Sequence, residues 1–233
     1  MGDNAGRISP RHRRHGAWNH GGVPPYAERN RSTAVQVGSA LAYRGIPLQA
    51  AYCGAKHALR GFTDSLRPEL DHDNSAVAVT VVELPAVNTP QFDWARTRMP
   101  RKPRPVPPVV QPEAVAEVSF RAALYLKRKY WLGVSTLKAI LDKILLPEFL
   151  DRYLAKHAYE AQETKAAVSP TRKDNLMAPV GELHRTHGSF DAEAANRVMA
   201  IPEPAARFIP VALTALTGVV IGFIMRGLLQ RSR

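Results

Sequence analysis

Strand-like and helix-like stretches alternate along residues 34–154, which places this chain in the α/β class with a parallel sheet. Three observations carry that prediction. Val77 to Leu84 (VAVTVVEL) is a continuous run rich in β-branched residues, the pattern of a parallel strand covered on both faces. Val35 to Gly38 is a shorter run of the same kind, followed by Ser39, a Gly/Pro turn and a helical stretch reaching Leu70. Tyr130 to Val134 supplies a third strand, with helical patterns before and after it.

Residues 1–33 come first and do not read as folded protein. They are rich in Arg, His, Gly and Pro and show neither helical nor strand periodicity. The expectation is a disordered or frameshifted arm. The second element is the informative one. Tyr52 and Lys56 are one helical turn apart on one face, with Ser39 at the carboxyl end of the preceding strand. An ammonium beside a phenol favours the phenolate, so Lys56 is expected to lower the Tyr52 pKa. A tyrosine tuned in this way passes a proton to or from a substrate oxygen near neutral pH. Ser39 is placed to hydrogen-bond that oxygen.

This sequence of strand, Ser39 and a helix opening on Tyr52-x-x-x-Lys56 resembles the short-chain dehydrogenase/reductase (SDR) family. The resemblance implies that Ser39, Tyr52 and Lys56 are the catalytic set. It implies the C-terminal half of a doubly wound parallel, Rossmann-like sheet with a helical C-terminal extension. It also implies NAD(P)-dependent interconversion of a small-molecule alcohol and carbonyl, with Lys56 and Tyr52 also holding the cofactor.

The loop after the Val77–Leu84 strand reads Pro85-Ala86-Val87-Asn88-Thr89-Pro90. By the same resemblance Pro85, Val87 and Thr89 are cofactor-binding positions around the nicotinamide, with Ala86 where the family usually has Gly. The family's T-G-x-x-x-G-x-G loop, which receives the pyrophosphate at a helix N-terminus, has no match in this sequence. The alternative function is therefore a catalytically inactive, truncated, membrane-associated remnant. On that ground the 233-residue chain is expected to bind nicotinamide cofactor poorly and to aggregate.

Gln91 to Val110 is Pro- and Arg-rich and too irregular for an element; a substrate-covering segment with Phe92 and Trp94 as apolar wall and a solvated linker are both open. Pro112 to Lys129 reads as a helix, with Pro at its start, Glu113 in its first turn and cations at its end. Ser135 to Leu154 reads as amphipathic helix broken at Pro147, for core packing or a homo-oligomer face. Residues 155–206 form a polar linker or extension. His184 and His187 lie three apart, but no third ligand follows at a characteristic spacing, so no metal site is predicted.

Within 207–233, Phe208 to Met225 is eighteen residues without a charge, bracketed by Arg207 and Arg226. A membrane span, an interfacial helix and a helix packed on the domain all remain open. One cysteine, Cys53, excludes an internal disulfide framework and fits the reducing cytoplasm, with membrane association through 208–225. The net charge of +12 sits in the N-terminal arm, Arg96 to Arg104 and the final residues, with no nucleic-acid reader motif. Nucleic acid is not expected as a partner; anionic lipid is the better use of the charge.

Overall fold

The computed structural model describes residues 32–203. The first elements are β1 (Ser32–Ser39), α1 (Ala50–His72), β2 (Val77–Leu84), β3 (Ala86–Val87) and the one-turn α2 (Gln91–Trp94). There follow β4 (Arg101–Pro103), β5 (Val109–Val110), α3 (Pro112–Leu124), β6 (Lys129–Leu132), α4 (Gly133–Leu145) and α5 (Pro147–His157). The last described are β7 (Glu163–Ala167), β8 (Ala194–Ala195) and β9 (Ala200–Pro202).

The main sheet runs β1-β2-β6-β9. Its first three strands are parallel, and β9 joins antiparallel, with Ile201 opposite Trp131. Side chains alternate faces with a period of two, so each strand serves two layers. One face presents Val82, Tyr130 and Leu132 to Val115 and Ala122 of α3. The other carries Trp131, which packs with Ile140 of α4 and Ile201. On that second face Gln36 of β1 accepts a buried hydrogen bond from the Thr63 hydroxyl of α1. Helices therefore cover both faces, which is why β2 reads as an unbroken apolar run. The guanidinium of Arg67 fastens the far end of α1 to the sheet by donating to the carbonyls of Val79 (3.4 Å) and Arg128 (2.8 Å).

Several boundaries differ from the sequence reading. The third strand is Lys129–Leu132 rather than 130–134, because Gly133 turns the chain at a φ of +77° and α4 starts there. The helix expected to reach Lys129 stops at Leu124, since Lys129 is claimed by the ladder opposite Val81. The segment read as too irregular for an element contains α2, β4 and β5. The stretch read as a polar linker contributes β7, β8 and β9, each pairing with a strand far away in sequence. Ser32 and Thr33, assigned to the arm, begin β1.

Residues 1–31 and the apolar segment 208–225 lie outside the described residues. Among the described residues no helix is long and apolar enough to cross a membrane. Of the residues read as an amphipathic face, Ile140 is buried while Leu145 and Phe149 are exposed.

Candidate active site

Parallel strands β1 and β2 end side by side, Ser39 opposite Leu84. Ligands of open α/β sheets sit beyond such carboxyl ends. Ser39 is buried, and its extended backbone turns into a short 3₁₀ turn over 40–42. Its Oγ accepts from the Leu41 N–H at 3.1 Å, capping that turn. Its own N–H donates to Oε2 of Glu83 at 2.7 Å.

Tyr52 lies in the first turn of α1, half-buried, with its phenol near enough to the Ser39 side chain for the serine to favour the phenolate. Lys56, one turn on, holds its Nζ 5.6 Å from the Tyr52 ring centroid and donates to the Val37 carbonyl at 2.9 Å. Ser39, Tyr52 and Lys56 are thus brought together at one end of the sheet. The expected lowering of the phenol pKa is not what the structure gives. Burial pushes the Tyr52 phenol above its usual value, the Ser39 side chain pulls it back, and the neighbouring Cys53 raises it again. Burial also holds the Lys56 ammonium below the ordinary lysine range, with the charge of Glu83 opposing it. Desolvation outweighs pairing for the phenol because the ammonium is turned onto a backbone carbonyl.

The positions Pro85, Val87 and Thr89 follow directly on β2, beside this group. Ala86 and Val87 form β3 and pair in parallel with Val109 and Val110. Between Val87 and Thr89, Asn88 is fully buried and joins the loop to a segment a hundred residues further on. Its Nδ2 donates to Gln111 Oε1 (3.1 Å) and Asp191 Oδ1 (2.7 Å), and its Oδ1 accepts from the Phe190 N–H at 3.1 Å. The Gly188 N–H donates to the Asn88 carbonyl at 3.1 Å. His187 completes this clasp, bridging Asp191 (Nδ1, 2.8 Å) and Glu113 (Nε2, 2.7 Å). Its pKa is raised by those two carboxylates. His184 is elsewhere, edge-on to Trp94 with ring centroids 6.1 Å apart.

A cavity of about 830 Å³ opens beside Tyr52. Leu48, Phe92, Trp94, Met99 and Pro103 give it apolar walls, and Arg98 and Glu163 add charge. The wall over 91–104 is stitched in place. Arg172 donates to the carbonyls of Phe92 (3.0 Å) and Ala95 (2.9 Å), the Asn175 N–H to that of Trp94, and the Val168 N–H to that of Pro100. Leu48 has a left-handed backbone, φ 66°, and is half exposed. That conformation costs an L-residue roughly 1–2 kcal/mol.

Sequence reasoning missed Glu83, Tyr43, Asn88 as an anchor, and the clasp of His187 and Asp191. Glu83 is 1 % exposed, its carboxylate set against Gly38, and Oε1 accepts from the Tyr43 hydroxyl at 3.1 Å. A lone Glu inside VAVTVVEL was the available signal, since a charge on a doubly covered strand needs partners.

The short-chain dehydrogenase family model matches residues 20–99, which include Ser39, Tyr52, Lys56 and the 85–89 loop. Over those residues the chain is similar to that family. The match takes in residues 20–33, ahead of the stretch on which the sequence reading placed the resemblance. A curated relative, the uncharacterized oxidoreductase YxnA of Bacillus subtilis (strain 168), is 31% identical over 143 residues, covering 61% of this chain and 40% of that protein. Dehydrogenase/reductase SDR family member 7 of Homo sapiens is 46% identical over 48 residues, 21% of this chain and 14% of its own length. Dehydrogenase/reductase SDR family member 7C of Mus musculus is 28% identical over 131 residues, 54% of this chain and 42% of its own. The chain spans about two fifths or less of the length of these relatives.

Proposed function

We propose that this short-chain dehydrogenase chain carries an alcohol/carbonyl oxidoreductase site that works with NAD(P), with Ser39, Tyr52 and Lys56 as its catalytic set. The observation that supports the reading best is that Tyr52, with Ser39 beside it and Lys56 one turn on, faces a large, mostly apolar cavity. Tyr52 is at once a lining residue of that cavity and the neighbour of Ser39.

The residues present fit the nicotinamide end of the cofactor. Lys56 uses one of its three N–H donors on Val37 among the described residues, which leaves donors for ribose hydroxyls. Pro85, Val87 and Thr89 lie at the end of the neighbouring strand, where their backbone groups and the Thr89 hydroxyl reach a carboxamide. When bound, the nicotinamide supplies or accepts the hydride. In the reducing direction Ser39 donates to the carbonyl oxygen and stabilises the charge that grows there. Tyr52 gives its proton to that oxygen as the alcohol forms; a phenol pushed up by burial is protonated at neutral pH and ready to donate. Lys56 keeps the helix face cationic beside the phenolate left behind. Phe92, Trp94 and Met99 exclude water around the reacting carbon.

The test is turnover of medium-chain aldehydes by the 233-residue chain with NADH and NADPH, before and after Tyr52→Phe. Removing the proton donor is expected to lower kcat by roughly 10²–10⁴-fold, the usual worth of general acid catalysis, with folding unchanged. Turnover that survives the substitution, or none in the parent chain with either cofactor, would defeat the reading.

A further inference from the structure

Glu83 lies behind this site rather than in it, and the reading above gives it no task. We infer that Glu83 is a positioning residue of the oxidoreductase site, fixing the Ser39 peptide and setting a carboxylate opposite the Lys56 ammonium. The inference rests on Ser39, Tyr52 and Lys56 being the catalytic set.

The placement of this carboxylate is costly unless it serves something. Its position on β2 points into the α1 face of the sheet, where a Val would fill the space without charge. Instead both oxygens are engaged: Oε2 takes the Ser39 N–H at 2.7 Å, and Oε1 takes the Tyr43 hydroxyl at 3.1 Å. Burial pushes the Glu83 carboxyl up, while the Tyr43 hydroxyl, the Lys129 ammonium, the Ser39 N–H and the Arg60 guanidinium pull it back. Lys129 donates to the Tyr43 oxygen at 3.2 Å, and the Arg60 guanidinium lies 4.0 Å from the Tyr43 ring centroid. Lys129 also reaches Asp64 at 3.9 Å, while the buried Glu203 acts on Tyr43 through its charge.

Two consequences reach the site. Ser39 is held at both ends, its N–H by Glu83 and its Oγ by the Leu41 N–H, which fixes the residue beside Tyr52. The β1 residue before it is Gly38, and the Glu83 carboxylate fills the space that any side chain at 38 would need. Glu83 and Lys56 also line one small void of about 10 Å³, with Arg60, Asp64 and Lys129 around it. Burial works against the Lys56 charge, and the charge of Glu83 is what opposes that loss.

Glu83→Gln in the full chain separates these roles from mere packing, because the amide keeps the shape and can still accept from Ser39. At pH 7, kcat for decanal reduction is expected to fall by about tenfold or more with KM little changed, as for groups that act through a catalytic residue. With Lys56 easier to deprotonate, the alkaline limb of the kcat/KM profile moves to lower pH. Tyr43→Phe is the second variant: it weakens the hold on the ionised carboxylate, so activity drops off on the acid side at a higher pH than in the parent. An unmoved alkaline limb overturns the inference while leaving the catalytic reading intact. A parent chain without turnover overturns that reading instead. The Lys56 titration, followed by the ¹³Cε resonance, then decides the role of Glu83 alone: its midpoint falls in Glu83→Gln, or the inference is wrong.

Discussion

Gly188→Ala tests the clasp that pins the 85–89 loop. A Cβ at Gly188 would lie 2.6 Å from the Thr89 carbonyl oxygen, 2.7 Å from Asn88 Oδ1 and 2.9 Å from the Thr89 carbonyl carbon. Two of those atoms are backbone, so no rotamer change relieves the clash, and the 187–190 segment must retreat. Retreat by a few tenths of an ångström takes both the 3.1 Å bond from the Gly188 N–H to the Asn88 carbonyl and the 3.1 Å bond from the Phe190 N–H to Asn88 Oδ1 past useful length. Each is worth about 1 kcal/mol net, and leaving the buried Asn88 oxygen unpartnered adds about 1–3 kcal/mol. The sum is roughly 3–5 kcal/mol, large against the usual 5–15 kcal/mol of a domain. Undocking the segment is the cheaper way out if its own opening free energy is smaller. Urea unfolding and amide exchange at Phe190 distinguish the two: either the midpoint drops, or exchange at Phe190 speeds up with a smaller change in midpoint. Unchanged protection at Phe190 together with a stability loss below about 0.5 kcal/mol refutes the steric reasoning.

Three further outcomes follow from the packing around these residues. Gly38→Ala would put a Cβ 2.1 Å from Glu83 Oε2 and 2.9 Å from Val81 Cγ1, with only the void of about 10 Å³ to receive the carboxylate. We expect a loss of roughly 2–4 kcal/mol from overpacking and a broken charged hydrogen bond, much of it recovered in Gly38→Ala/Glu83→Ala; additive losses in urea would count against it. Leu132, 0 % exposed in the main core, should cost about 2–5 kcal/mol on replacement by Ala, read from the urea midpoint. The clasp should also depend on pH. Because the folded His187 pKa is raised, its contribution is complete below the ordinary 6.5 and is lost as pH rises through the higher folded value. Glu113 and Asp191 are lowered, so theirs is present above the ordinary carboxylate values of 4.5 and 3.8 and lost as pH falls through the lower folded ones. Limited proteolysis between 186 and 195 should therefore be slowest from about pH 4.5 to 6.5, and His187→Gln should flatten that profile. An unaltered profile in the variant assigns the dependence elsewhere.

How much of this was legible in the sequence depended on how far apart the cooperating residues lie. β2 was readable because burial on both faces leaves no polar alternation, and α1 because Tyr52 and Lys56 repeat at the helical period. Both signals are local. The proximity of Ser39, Tyr52 and Lys56 was legible for the same reason: thirteen residues of spacing lead from the strand end at Ser39 to the helix face at Tyr52. What the sequence hid is held by partners 40 to 100 positions away. Glu83 meets Ser39 across 44 positions, and Asn88 meets Phe190 across 102. Short strands such as β8 and β9 exist only through their pairing with β5 and β6, and no run of two or three residues announces that.

The error over the Tyr52 pKa has the same origin. Helical spacing fixes that Lys56 stands next to Tyr52, but not where its ammonium points. The carbonyl of Val37 takes the ammonium because β1 ends beneath the helix. A lysine that binds the backbone is a weaker partner for the phenol and a better-fixed one. What remains to offset the burial of Lys56 is therefore a charge from the sheet rather than from the helix. On β2 the described residues offer one carboxylate, Glu83, and it lies on the face that looks toward α1. The electrostatics of the trio are thus set by a strand position that the local motif does not include.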